Sequence, residues 1–165
     1  MIVILLYILI SVVLTGIIYQ DIKLRAIHFA LPLLLVACTI ALWCLTSPLE
    51  IIEILYSTGF LVLCLLAIIV QYSIKEKAIK NPFNKVFGVG DIVYLIAIVP
   101  LFSFRNYLLF IVTGMVFALI FHIIMQQFQQ ETTIPLAGYL SLYLIIIMGI
   151  LAINQQLEHL YINIF

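Results

Sequence analysis

Six long apolar runs separated by short polar breaks set the first reading of this chain. Ile2 to Tyr19 is almost unbroken in Ile, Leu and Val. At ~1.5 Å per residue it covers most of a ~30 Å hydrocarbon core, which predicts a helix over 2–19. Gln20-Asp21-Ile22-Lys23-Leu24-Arg25 breaks that run. The next two runs predict helices over 28–45, with Pro32 tolerated near its start, and over 51–72, joined by Thr46-Ser47-Pro48-Leu49-Glu50. Ser73 to Phe87 is the longest polar stretch. A fourth helix is predicted over 91–104, interrupted by Pro100, and Arg105-Asn106 is expected to connect it to a fifth over 107–125. Gln126 to Thr133 then leads to a sixth over 135–153, opened by Pro135, and the mixed tail from Asn154 to Phe165 reads as an interfacial segment. With no repeat, linker or low-complexity tract, residues 1–165 are expected to form one all-α domain of about six transmembrane helices.

Composition agrees with the pattern. Hydrophobic residues make up 67% of the chain and charged ones 8%, against about 45–50% and about 25% in an ordinary soluble domain, and the mean hydropathy is +1.35. A lipid bilayer is the surrounding such a chain requires. The first run has no basic segment before it and no small-x-small site after it, so it is read as a membrane helix rather than a signal peptide, with Met1 expected to start the mature chain. A formal net charge of zero offers no basis for binding nucleic acid. Cys38, Cys44 and Cys64 lie inside apolar runs without a Cys-x-x-Cys pair, which points to packing; no metal or cofactor is expected. Every basic residue except Arg105 follows the first helix or lies in the loop after the third. Those two connections share a side in an alternating layout, so that side is read as the cytosol and both termini as facing out.

The same alternation brings Asp21, Asp91 and the Pro135 region to one membrane face. Peptide hydrolysis without metal or covalent intermediate needs one group to deprotonate water and another to protonate the departing amine, and two nearby carboxylates can divide these roles. Repulsion between them keeps one protonated while the other acts as base. From the dipoles of their own helices, Asp91 at an N-terminus is expected to be the charged base and Asp21 at a C-terminal end to hold the proton, although Lys23 and Arg25 favour charge on Asp21. Gly88 and Gly90 are expected to permit unusual backbone angles and the close approach of a substrate strand. Taken singly, Asp91 also reads as an ordinary N-cap and Asp21 as a partner of Lys23 or Arg25. His28 and His122 lack ligand-like spacing, and Glu53 lies at the outer end of the third helix, where solvation explains it. Tyr19, Trp43, Tyr72 and Tyr107 read as interfacial anchors.

Three stretches in series carry a resemblance: Asp21-Ile22-Lys23-Leu24-Arg25-Ala26-Ile27, Gly88-Val89-Gly90-Asp91 and Ile134-Pro135-Leu136-Ala137-Gly138-Tyr139. In order, spacing and sidedness they resemble the motifs of the type IV prepilin peptidases and preflagellin peptidases, membrane aspartyl proteases of the Gly-x-Gly-Asp class. The resemblance implies catalysis by Asp21 and Asp91, with Lys23, Arg25, Gly88, Gly90, Pro135 and Gly138 positioning substrate or backbone. It implies prepilin-like membrane proteins as substrates, cut behind a short basic leader at the cytosolic face of the cell membrane, before assembly into a pilus or secretion filament. The chain looks like the short form without the N-terminal cysteine-containing domain, so N-methylation of the product is not implied. His28-Phe29 stands where the family usually has Pro-Asn, and Val93-Tyr94 where a Lys is common. Two other readings compete: an intramembrane protease of the presenilin or signal-peptide-peptidase type, and a non-enzymatic transporter or assembly subunit whose carboxylates bind a cation.

Overall fold

The computed structural model describes residues 2–46, 50–76, 88–126 and 134–153, and the regular elements among them are helical. The first helix, α1 (Ile2–Leu24), runs through the polar break expected to end it at 19. Asp21 is buried and its carboxylate accepts a hydrogen bond from another helix, so the charge is met without unwinding the backbone. The helix stops at Arg25, whose φ of 53° is the left-handed conformation that ends many helices. In the connection, the His28 amide donates to Gln20 Oε1 at 2.8 Å. α2 (Ala30–Thr46) begins two residues later than expected because His28 and Phe29 cap it: their carbonyls accept from Leu31 and Leu33, and His28 Nδ1 accepts from Ala30. Pro32 occupies the first turn, where its missing N–H leaves no bond unmade. α3 (Ile51–Glu76) is longer than its apolar run. The lysine-rich connection after it and the C-terminal tail, 154–165, lie outside the described residues.

The fourth segment departs most from a continuous helix over 91–104. α4 (Val89–Ala97) has nine residues, and a 3-10 turn (Val99–Leu101) follows it. Pro100 has no N–H to give the carbonyl one turn back and so ends the α-helical ladder. The carbonyls near this break are met by other helices. Tyr107 Oη donates to Leu95 O at 3.2 Å, and Thr39 Oγ1 lies 2.8 Å from Ala97 O. Tyr107 is therefore a fully buried core residue and not an interfacial anchor. Arg105 and Asn106 belong to the first turn of α5 (Phe104–Gln126) and not to a connection. That turn is capped across the fold, because Glu53 Oε2 accepts from the Phe104 amide at 2.6 Å. Glu53 thus has a specific partner where solvation alone was expected.

α6 (Leu136–Ile153) is packed between α1 and α5, α4 lies against α2 and α6, and α3 sits outside against α5. Alternating helix directions put the C-terminal end of α1 and the N-terminal ends of α4 and α6 together, with Glu53 and Phe104 at the opposite end. The seam between α5 and α6 is close: a Cβ at Gly114 would stand 2.6 Å from Leu140 Cδ2. Rings continue along that seam from Phe110 through Tyr143, Phe117 and Phe121 to Tyr139, with neighbouring centroids 5.1–5.7 Å apart. The outward faces are apolar, with Ile8, Val12, Leu55, Leu63, Val116 and Ile123 all exposed. α1, Ile51–Gln71 of α3 and Phe104–Met125 of α5 are each long and apolar enough to cross a membrane; the other apolar helices are shorter.

Candidate active site

The N-terminus of α6 organises the site. The Pro135 carbonyl accepts the first intrahelical bond, from Tyr139 at 3.1 Å, so Pro135 stands at the N-cap and the next amides have no carbonyl of their own helix to bond. Two of those amides point at carboxylates. Ala137 N–H donates to Asp91 Oδ1 at 3.0 Å, and Gly138 N–H donates to Asp21 Oδ2 at 2.6 Å. Successive amides of one helical turn thereby hold two carboxylates that are remote in sequence, one delivered by the end of α1 and the other by the start of α4. The positive end of the α6 dipole faces both.

Asp91 is in the first turn of α4, where it also closes a local ring: Oδ2 accepts from Gly88 N–H at 3.2 Å, while the Asp91 amide donates to Gly88 O at 3.1 Å. Asp91 is therefore not the N-cap itself: Gly88 is at the cap and Asp91, three residues in, bonds back to it while also facing α6. Both of its carboxylate oxygens are thus engaged, Oδ1 by the Ala137 amide and Oδ2 by the Gly88 amide. Asp21 does not sit at a bare helix end, because the α6 amide donates to it and the Arg25 charge acts on it. The two dipoles used to assign base and acid from sequence are thus joined by a third, that of α6, which acts on both residues.

The unusual backbone angles expected at Gly88 and Gly90 are not found. No glycine among the described residues has a positive φ, and Gly88 lies at φ −70°, ψ 139°, open to any residue. Space is what they supply. A Cβ would lie 3.0 Å from Asp91 Oδ2 at Gly88, and at Gly138 3.1 Å from Asp21 Oδ2 and 3.2 Å from Asp21 Cβ. At Gly90 the neighbour is Ile27, whose Cβ and Cδ1 are both 3.2 Å from that position. Gly90 therefore lets the start of α4 rest on the α1–α2 connection.

Of the residues singled out in the sequence, Asp21, Asp91, Gly88, Pro135 and Gly138 come together, with Gly90 packed just behind. Lys23 does not join them: it is directed along its own helix to donate to Tyr19 Oη at 2.9 Å, its ammonium 4.9 Å from the ring centroid. Arg25 acts on Asp21 and Tyr139 through its charge. Sequence reasoning missed Ala137 and Ile27, because one acts through its backbone amide and the other through a packing contact. It also missed Tyr94 and Ser141, each one turn inward from Asp91 and Gly138, whose buried hydroxyls adjoin each other across the α4–α6 seam. Their spacing of three from the motif residues was the available signal. His122 comes within 6.3 Å of Tyr139, ring to ring, at the α5 edge of the site. No protein-family model matches this chain, and no curated protein or solved structure does.

Proposed function

We propose that this chain is a multi-pass membrane aspartyl endopeptidase of the prepilin-peptidase type, removing a short basic leader at the cytosolic face. The observation that carries this reading is the placement of Asp21 and Asp91 on adjacent amides of one helix N-terminus. Such a pair divides the labour of amide hydrolysis. In this mechanism one carboxylate of the pair is ionised and takes a proton from water as the water oxygen bonds to the scissile carbonyl carbon. The other holds a proton and gives it to the nitrogen as the carbon–nitrogen bond breaks. The apolar exterior suits helices in lipid, and the basic residues following α1 and α3 in the sequence support a cytosolic side for the paired carboxylates, where a basic leader would be met.

The test is co-expression with a prepilin-like substrate and a gel shift for leader removal. Asp21→Asn and Asp91→Asn each abolish cleavage while the protein still inserts, since general acid–base groups supply roughly 10²–10⁴-fold each. Residual activity within about tenfold of wild type in either variant sinks the pairing. A cation transporter or an assembly subunit would show no leader removal at any point in this series.

A further inference from the structure

Among the described residues, two fully buried hydroxyls behind the carboxylate pair have no hydrogen-bond partner: Tyr94 Oη and Ser141 Oγ. In an apolar interior that is costly, because an unpaired hydroxyl gives up its bonds to water and receives none in return. Several other helical hydroxyls avoid the cost locally. Ser11, Thr15, Thr46 and Thr113 each donate to the carbonyl four residues back, at 2.6–2.9 Å. Ala137 O stands in the same relation to Ser141, yet Ser141 Oγ does not take it. It adjoins Tyr94 Oη across the α4–α6 seam instead, without completing a hydrogen bond to it. Tyr107, whose hydroxyl also acts on Tyr94, is already committed to Leu95 O at 3.2 Å.

The two helices that carry these hydroxyls also carry the site. α4 and α6 both start at the face that holds the carboxylates and run the same way, so rungs can join them at successive turns. The outer rung is Ala137 N–H to Asp91 Oδ1 at 3.0 Å. Tyr94 is three residues after Asp91, and Ser141 four after Ala137, which puts both one turn inward on the same faces. A single rung leaves α4 free to tilt and slide about it, and α4 has only nine residues before Pro100 breaks its ladder. A second rung removes that freedom. We propose that Tyr94 and Ser141 are positioning residues: their hydroxyls join as an inner rung that fixes the height of α4 on α6, and with it the distance at which Asp91 faces Asp21. Asp21 is held by the next amide, that of Gly138, so any slide of α4 changes the separation of the two carboxylates. The consequence for hydrolysis rests on the peptidase reading above, whereas the consequence for the carboxylates does not.

Asp21 and Asp91 are the only aspartates in the chain, so carbon-13 labelling of aspartate Cγ gives two carboxyl signals, which Asp21→Asn assigns. Tyr94→Phe and Ser141→Ala each remove one hydroxyl and leave the rest of the side chain in place. Ser57→Ala is the control, because the Ser57 hydroxyl is equally buried and unpartnered but lies one turn from Glu53, at the opposite end of the bundle. At one fixed pH the Asp91 signal moves in Tyr94→Phe and in Ser141→Ala and stays in place in Ser57→Ala. The double variant moves it no further than either single change, as two groups acting as one must. On a prepilin-like substrate kcat falls roughly ten- to a hundredfold with KM unchanged, since a displaced reacting group slows the chemical step without touching binding. A signal that stays in place in either variant overturns the assignment, as does an equal shift in Ser57→Ala. A lower thermal midpoint with unmoved signals gives the hydroxyls to fold stability alone and also overturns it. Moved signals in a protein that cleaves no substrate uphold the inner rung while the peptidase reading falls.

Discussion

Gly138→Ala probes the contact on which the site depends. Alanine gains up to about 1 kcal/mol over glycine in a helix. The new methyl, however, would stand 3.2 Å from Asp21 Cβ and 3.1 Å from Asp21 Oδ2, where carbon contacts are comfortable at about 3.5–4.0 Å. Neither neighbour is a free side-chain end, since Asp21 is buried and already held at 2.6 Å by the Gly138 amide. α1 and α6 must part by a few tenths of an ångström. Overpacking of this kind costs roughly 1–3 kcal/mol, and stretching a hydrogen bond to a charged acceptor removes part of another ~1.5–3 kcal/mol. The net expectation is a loss of about 1–3 kcal/mol, a fall of roughly 2–10 °C in the thermal midpoint in detergent for a chain of this size. Cleavage falls at least about tenfold, because displacement at a reacting pair is costly. The cause is isolated by repeating the substitution in Asp21→Gly, which removes both the Cβ and the carboxylate. There Gly138→Ala becomes neutral or stabilising, a change of sign read as coupling between the two sites. A higher midpoint with Asp21 present, or the same fall in both backgrounds, refutes the reasoning.

Two further outcomes follow from the geometry. Gly90→Val lowers both thermal stability and cleavage because its Cβ meets Ile27 at 3.2 Å, and Ile27→Ala recovers part of the stability; a Gly90→Val variant as stable as wild type contradicts the contact. Glu53→Ala uncaps α5 at the far end of the bundle and costs about 1 kcal/mol, visible as a lower midpoint with leader cleavage unchanged.

The apolar runs alone were sufficient for the helical class and for the six α-helices found among the described residues, because ~20 residues without a charge leave the backbone few alternatives in lipid or in a core. The boundaries were less legible wherever a polar residue had a distant partner. Asp21 looked like a helix end, yet α1 continues past it because an amide of α6 meets its charge. Arg105 and Asn106 looked like a connection, yet Glu53 from α3 caps the turn they belong to. Asp21, Gly88, Asp91, Pro135 and Gly138 could be singled out because carboxylates, glycines and a proline at polar-to-apolar transitions are costly or conformationally particular, and so stand out in such a chain. What joins them could not. A backbone amide is the same in every residue, so nothing in the sequence distinguishes Ala137 as a donor to Asp91. The space that makes Gly138 and Gly90 necessary belongs to Asp21 and Ile27, and only the packing of α1, α4 and α6 brings those residues to them.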